Sequence, residues 1–327
     1  MVDLFACGGG ATYGATCAGF NTVLAVDWHK ESLDVHSANH PNCDHIVLEL
    51  GTESSAATVM LHPNFPKEGE VWHLHMSPPC NNLCKMSQAA HGGDENGRDQ
   101  MTEKGLRLVK WSLDFLLKTK PTTWSFENVQ HPALAALLEE FKANHSSICD
   151  YEVFNFHEFG LPANRRRILA GSPHLIHRFK TDKALRRKVT VSRVFANEGL
   201  ELPSKRISGC DRKYLRPATQ KGFAVTSAGL GFVNAKNRLI RKMNAQEVGR
   251  IQTFPINYKW SGRKEIDDSV IGNALPPLIM GLLLGMNHDG AKKCGLTIGR
   301  GTRRVATTEE DDSDEDIPLN QRKRAKH

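Results

Sequence analysis

The chain has 327 residues, 39% hydrophobic and 24% charged, a length and balance suited to one large or two ordinary globular domains. Its longest apolar run, 276–280 followed by Gly281 and 282–284, is far too short to span a membrane; residues 1–6 lack the basic region and apolar core of a secretory signal. Eight cysteines with no Cys-x-x-Cys pair argue against a disulfide scaffold or a zinc site and for a reducing compartment. The net charge of +7 is uneven: residues 1–160 hold 10 basic against 20 acidic residues, whereas 161–241 hold 19 against 4. Charge so concentrated suits a phosphate backbone better than a passive solvated surface.

Taken in chain order, 1–6 read as a short strand that runs into the turn Cys7-Gly8-Gly9-Gly10, and 11–19 as a helix. Residues 23–26 form a buried strand closed by Asp27; 31–39 form a helix that stops before Pro41; 45–50 form a third strand. A fourth strand, 71–76, leads into Ser77-Pro78-Pro79-Cys80. A helix at 105–118 carries apolar residues at 106, 109, 113, 116 and 117. Residues 123–126 are a strand ending at Glu127-Asn128, and 133–141 a helix. Strands alternating with helices predict a mostly parallel α/β sheet, in which ligands sit at the carboxyl ends of the strands. Gly8–Gly10, Asp27, Glu49, Cys80 and Glu127 all fall at such ends. The basic segment 172–240 lacks this rhythm and reads as an irregular insertion; helices follow at 245–252 and 278–286. In the tail, 309–316 holds seven acids broken only by Ser313, then comes Arg322-Lys323-Arg324-Ala325-Lys326. With no apolar periodicity the tail is expected to be disordered, its basic cluster either a nuclear address or chance.

The first turn is neither a dinucleotide fingerprint, since Tyr13 stands where a third glycine belongs, nor a Walker loop. Its glycines still permit a ligand close to the backbone, and Asp27 follows at the spacing of an acid that holds ribose hydroxyls. Further motifs then occur in a fixed order. Asp3-Leu4-Phe5-Ala6-Cys7-Gly8-Gly9-Gly10 with Ala18-Gly19-Phe20 resembles the opening motif of DNA cytosine-5 methyltransferases. Ser77-Pro78-Pro79-Cys80 resembles that family's nucleophile loop, and Phe126-Glu127-Asn128-Val129 its Glu-Asn-Val motif. Phe159-Gly160-Leu161-Pro162 through Arg165-Arg166-Arg167 is similar to its Arg-x-Arg motif. Arg241 through Glu247 with Arg250-Ile251-Gln252 and Phe254-Pro255, then Gly272-Asn273-Ala274 with Pro276-Pro277, resemble its last motifs. The resemblance spans about residues 2–285.

The resemblance implies a Rossmann-like, S-adenosylmethionine-dependent sheet and methyl transfer to C5 of cytosine in double-stranded DNA. Cys80 would add to C6 of a flipped-out base, Glu127 would hydrogen-bond the ring, and Asn128 would brace the Cys80 loop. Arg165 and Arg167 would hold the base and its phosphate. The cofactor would be bordered by Phe5, Gly9, Gly10, Pro79 and Asn273, with Asp27 on the ribose, Trp28 on adenine and Glu49 at its amine. No metal is expected. The domain reading is 1–171 catalytic and cofactor-binding, 172–240 target-recognising, 241–301 a return to the catalytic unit, and 302–327 the charged tail. Guanine is read mainly by arginine, so a short target of roughly two to four base pairs with guanine beside the cytosine is expected. A monomer in the nucleus or another DNA-containing intracellular compartment, not secreted, completes the expectation. Cys7, Trp72, Asn81, Cys84 or Lys85, Ala163 and Val270 depart from the family pattern. An RNA cytosine methyltransferase and a catalytically silent DNA-binding protein remain as alternatives.

Overall fold

The computed structural model describes residues 1–80, 82–83, 95–197, 206–208, 215–217, 219, 221–222, 224–226, 230–233 and 239–296. Asn81, Cys84, Lys85 and the tail 302–327 lie outside the described residues.

Seven strands form the main sheet: β1 (Val2–Leu4), β2 (Leu24–Asp27), β3 (Asp44–Val47), β4 (His73–Met76), β5 (Thr123–Val129), β6 (Asp150–Asn155) and β7 (Arg166–Gly171). Their order is β3-β2-β1-β4-β5-β7-β6 among the described residues. Pairs among β3, β2, β1, β4 and β5 are parallel, whereas β7 runs antiparallel to both β5 and β6. The chain winds outward from β1 to β3, then returns to place β4 on the other side of β1. The strand order therefore reverses between β1 and β4, where open α/β sheets bind ligands.

Alternation along the strands gives the sheet two unlike faces. Val2, Leu4, Leu24, Val26, Leu74, Met76, Trp124, Phe126, Ile168 and Ala170 meet Val59, Val109, Leu113, Phe115, Leu116, Leu134 and Leu138 in one apolar cluster. Those partners come from the helices Glu53–Met60, Glu95–Thr119 and Pro132–Asn144. The opposite face carries Asp3, Ala25, His75 and Ser125 in register across β2, β1, β4 and β5. Helices Gly10–Cys17 and Pro277–Leu283 pack together beside it, their backbones close at two glycines. A Cβ on Gly14 would stand 2.2 Å from the Pro277 carbonyl oxygen, and one on Gly281 3.1 Å from that of Gly14.

The helix expected at 105–118 extends to Glu95–Thr119, because its first ten residues carry no apolar stripe to reveal them. Helix Glu53–Met60, absent from the sequence expectation, opens on a Thr52–Ser55 capping box. The segment read as irregular is ordered where it is described. Helix Pro173–Thr181 and helix Val191–Asn197 send Ile176, Phe179, Val191 and Phe195 into the cluster that holds Leu278 and Leu282. Strands β8 (Arg206–Ser208), β9 (Leu215–Pro217), β10 (Gly231–Val233) and β11 (Leu239–Lys242) follow, antiparallel in the order β11-β10-β8-β9. Strands of three or four residues are too short to display a period of two.

Candidate active site

The nucleophile candidate sits on a stiff loop. After Met76 the chain runs through Ser77 and two prolines, which fix φ, to a partly buried Cys80. From the next strand, Asn128 Nδ2 donates to the Pro78 carbonyl at 3.0 Å, while Asn128 Oδ1 accepts from Val129 N at 2.8 Å.

Glu127, one residue earlier on β5, is 5% exposed. The antiparallel return of β7 brings two arginines against it. Arg167 Nε stands 3.0 Å and Arg165 Nη2 3.9 Å from Glu127 Oε1. Neither approach makes a hydrogen bond, so this buried oxygen has charge neighbours and no hydrogen-bond donor. Arg165 is 2% exposed and turns Nη1 and Nη2 to backbone, Nη1 to Val225 O at 3.4 Å and Gly272 O at 3.1 Å and Nη2 to Ala274 O at 3.0 Å, while its buried Nε has no hydrogen-bond partner. Burial, then repulsion by Arg167, lowers its pKa to about 10, opposed by attraction to Glu127 and Cys80. It remains a cation at neutral pH. Arg165 thus also braces the C-terminal end of helix Lys264–Asn273; Arg167, 16% exposed at its side chain, is the more accessible of the two.

A second cluster lies at the switch point. A cleft between the ends of β1 and β4 is lined by Asp3, Phe5, Ala6, Cys7, Gly10, Ala11, His75, Ser77 and the segment 273–275. Phe5, Gly10 and Asn273 are thus brought together as expected cofactor neighbours; Gly9, Asp27, Trp28, Glu49 and Pro79 are not among the lining residues. The turn is tight: Phe5, Cys7 and Gly9 have φ of 60°, 48° and 87°. Cys7 therefore occupies the left-handed region in which glycine is cheaper by roughly 1 kcal/mol. The room the glycines leave is filled partly by the protein itself. A Cβ on Gly8 would stand 2.1 Å from Val270 Cγ1, one on Gly10 2.3 Å from Leu275 O, and one on Gly9 2.7 Å from His40 Nε2. Tyr258 Oη closes this layer by donating to Gly8 O.

Asp27 ties the turn to β2, its carboxylate accepting from Cys7 N and His29 N, each at 2.9 Å. Burial raises the pKa of Asp27 despite these bonds. Burial, then the Asp27 charge, pushes the Cys7 thiol up to about 12, so Cys7 is an inert thiol at neutral pH. Trp28, next to Asp27, is 61% exposed, and Glu49 is exposed beyond β3. Asp3 is fully buried: Oδ2 accepts from Thr12 Oγ1 at 2.7 Å, and Oδ1 has no hydrogen-bond partner. Burial raises its pKa to about 7.

Sequence reasoning missed Asp3, His75 and Ser77 as lining groups. The available signal was the polar alternation His73, His75, Ser77 in a strand flanked on both sides by others, where apolar runs are the rule. Among the described residues no cluster of three or more His, Cys, Asp or Glu is placed to hold a metal ion, and no helix is long and apolar enough to cross a membrane.

The family described as C-5 cytosine-specific DNA methylase matches residues 1–174 and 171–284. The Type II methyltransferase M1.HphI of Haemophilus parahaemolyticus is 24% identical, over 85% of this chain and 83% of its own. The Type II methyltransferase M.HgiDI of Herpetosiphon aurantiacus is 25% identical, over 84% of this chain and 89% of its own. Among solved structures, the S. pombe Dnmt2 methyltransferase superposes with a TM-score of 0.57 at 15% identity, covering 86% of this chain and 96% of its own. A putative DNA modification methyltransferase encoded within an E. coli prophage gives 0.55 at 16% identity, covering 90% and 98%.

Proposed function

Since the chain belongs to the C-5 cytosine-specific DNA methylase family, we propose that it methylates C5 of cytosine in double-stranded DNA with S-adenosylmethionine as donor and Cys80 as covalent nucleophile. The observation that carries this reading is the cluster of Cys80, Glu127, Arg165 and Arg167 at the ends of β4, β5 and β7, with Asn128 tied to the Cys80 loop.

Cytosine C5 is a poor nucleophile until a thiolate adds to C6. Arg165 and the Cys80 thiolate attract one another, which favours the reactive form. The Cys80 sulfur bonds to C6 and the ring's electron pair becomes available at C5. Glu127, whose buried Oε1 lacks a donor, hydrogen-bonds ring N3 and the exocyclic amine and so favours the activated ring. Arg167 holds Glu127 in place; Arg165 secures the end of helix Lys264–Asn273 and supplies positive charge beside the sulfur. After transfer a water molecule acting as base takes the C5 proton, the freed electron pair re-forms the C5–C6 double bond, the C6–sulfur bond breaks, and Cys80 leaves as the thiolate. A target inside a duplex is out of reach, so the base is extruded.

The residues fit the donor. The cleft at the switch point holds a buried, unpartnered Asp3 oxygen, and Trp28 presents an open ring beside Asp27. A carboxylate has about four acceptor sites, so Asp27 retains capacity for ribose hydroxyls. When bound, S-adenosylmethionine supplies the methyl sulfonium carbon. Residues 172–240, with their basic excess, serve target recognition. The protein acts as a monomer in an intracellular compartment that contains DNA.

Incubation with tritiated S-adenosylmethionine should label DNA, and 5-fluorocytosine DNA should trap a covalent complex. Label in RNA alone would replace the substrate; label in neither would leave a DNA-binding protein. Label in DNA without a trapped complex would overturn the role of Cys80.

A further inference from the structure

The basic insertion reaches back to the loop that carries Arg165. Ala163 pairs with Gly222 in a parallel bridge. Asn164 N donates to Gly222 O at 3.0 Å, and Gly222 N donates to Pro162 O at 2.7 Å. Three residues further along the insertion, Val225 O accepts from Arg165 Nη1 at 3.4 Å. The same loop is tied to the end of β6, where Phe156 N donates to Arg165 O at 2.9 Å and Leu161 N to Phe156 O at 3.2 Å. Leu161, Ala163, Arg165 and Val225 are all buried. Bonds made away from water are strong and costly to leave unmade.

The guanidinium of Arg165 depends on this frame. It is a buried cation held by three carbonyls, one from the insertion at Val225 and two from the returning catalytic unit at Gly272 and Ala274. A carbonyl withdrawn from a buried guanidinium is not replaced by bulk water, so the cation must move or lose stability. The same cation attracts both Glu127 and Cys80. These contacts from Gly222 and Val225 use main-chain atoms, so the clasp keeps its form whichever side chains the insertion turns toward a target.

We propose that Asn164, Gly222 and Val225 are positioning residues for methyl transfer, clasping the insertion to the Arg165 loop so that the segment assigned to target recognition also sets where the guanidinium stands relative to Glu127 and Cys80. This rests on the methyltransferase reading above. A displacement of about 1 Å at a reacting group can cost about a hundredfold in rate while the substrate stays bound.

The test uses the full chain. Asn164→Pro removes the N–H that meets Gly222 O, and Gly222→Pro removes the one that meets Pro162 O; Asn164→Ala keeps its N–H. With saturating short DNA and S-adenosylmethionine, single-turnover methyl transfer in either proline variant should slow by about tenfold to a hundredfold, with DNA affinity within about threefold. Asn164→Ala should restore most of the rate. Val225→Ala, which trims a side chain and leaves the backbone in place, is the variant that folds if the prolines do not; it should show the same split at about threefold. Iodoacetamide labelling of Cys80 at pH 7, followed by peptide mass, should slow by about fivefold in the proline variants as the neighbouring positive charge withdraws. Faster labelling would mark a loosened loop, a merely structural role, and would overturn the proposal. Equal losses of rate and DNA affinity, or an unchanged single-turnover rate, would overturn it as well and leave the methyltransferase reading intact. No methyl transfer to any nucleic acid by the wild type would overturn that reading and the proposal together.

Discussion

The two faces of the seven-stranded sheet are equally buried and chemically opposite. One is lined by Leu4, Val26, Leu74, Met76, Trp124 and Phe126 and is covered by helices with apolar stripes. The other presents Asp3, His73, His75, Ser125 and Glu127, all buried; the first four are hydrogen-bonded, apart from Asp3 Oδ1, and Glu127 Oε1 faces Arg167 without a hydrogen bond. The apolar face contributes stability that ignores pH. The polar face holds groups whose ionisation is displaced by burial, so it exchanges some stability for a bonded, directional floor under the reaction site. Glu127, near the end of β5, and Ser77, just past the end of β4, continue that polar face, which is how a sheet pattern becomes an active-site pattern.

The most severe break in this contrast is chemical. Cys80→Ser should reduce methyl transfer by about a thousandfold or more, while DNA affinity stays within about twofold because many phosphate contacts remain. Filter binding and tritium transfer on one preparation check both. Near-normal turnover would remove Cys80 from the mechanism.

On the apolar face, Leu74→Ala should cost about 2–5 kcal/mol in urea unfolding, the usual range for a buried leucine. That loss should be the same at pH 8 and pH 6. A strongly pH-dependent loss would mean the faces are not independent.

The buried histidines of the polar face, His73 and His75, together with four elsewhere in the fold, should make the protein acid-sensitive. His36, His40, His45, His73, His75 and His288 all have pKa values lowered by burial, His40 to about 4 and His75 to about 3. Unfolded histidines titrate near 6.5, so below that pH the unfolded chain binds more protons and stability falls as pH falls. Between pH 7 and pH 5, His75 alone accounts for about 2 kcal/mol. Asp3, raised to about 7, works in the other direction, with a contribution present at low pH and lost as pH rises through 7. Asp27 is raised in the same sense, but the histidines outnumber the two acids. Urea midpoints should therefore drop from pH 7 to pH 5, and Asp3→Asn should steepen the drop. A flat profile would show that the imidazoles are not held neutral.

The smallest effect tests the brace. Asn128→Ala removes the bond to Pro78 O and should cost about 1–2 kcal/mol of stability, with turnover lowered more than DNA affinity. Equal losses in turnover and DNA binding would make Asn128 a general packing residue.

Read as sequence, the site was legible where its parts are local. The turn 7–10, Cys80 behind two prolines and Glu127-Asn128 at the end of a hydrophobic strand follow from adjacent residues. The antiparallel β7 was not legible, because Arg166–Gly171 carries no mark of its direction. Nor was the fate of Arg165, whose partners Gly272 and Ala274 lie more than a hundred residues away. Cys7 was readable as a departure from glycine, but its φ of 48°, and hence its cost, belongs to the folded turn.

The sequence alone determined which residues stand at strand ends, where the positive charge collects and in what order the motifs run, because periodicity, glycine, proline and charge act within a few residues of one another. Only the tertiary structure decided which strand ends meet. It set Asp3 beside His75 across β1 and β4, closed the cleft with 273–275 from the far end of the chain, and joined His73 to Ser125 across 52 positions. Those meetings depend on strand order and register, which are fixed by the burial of whole faces rather than by any short stretch of chain.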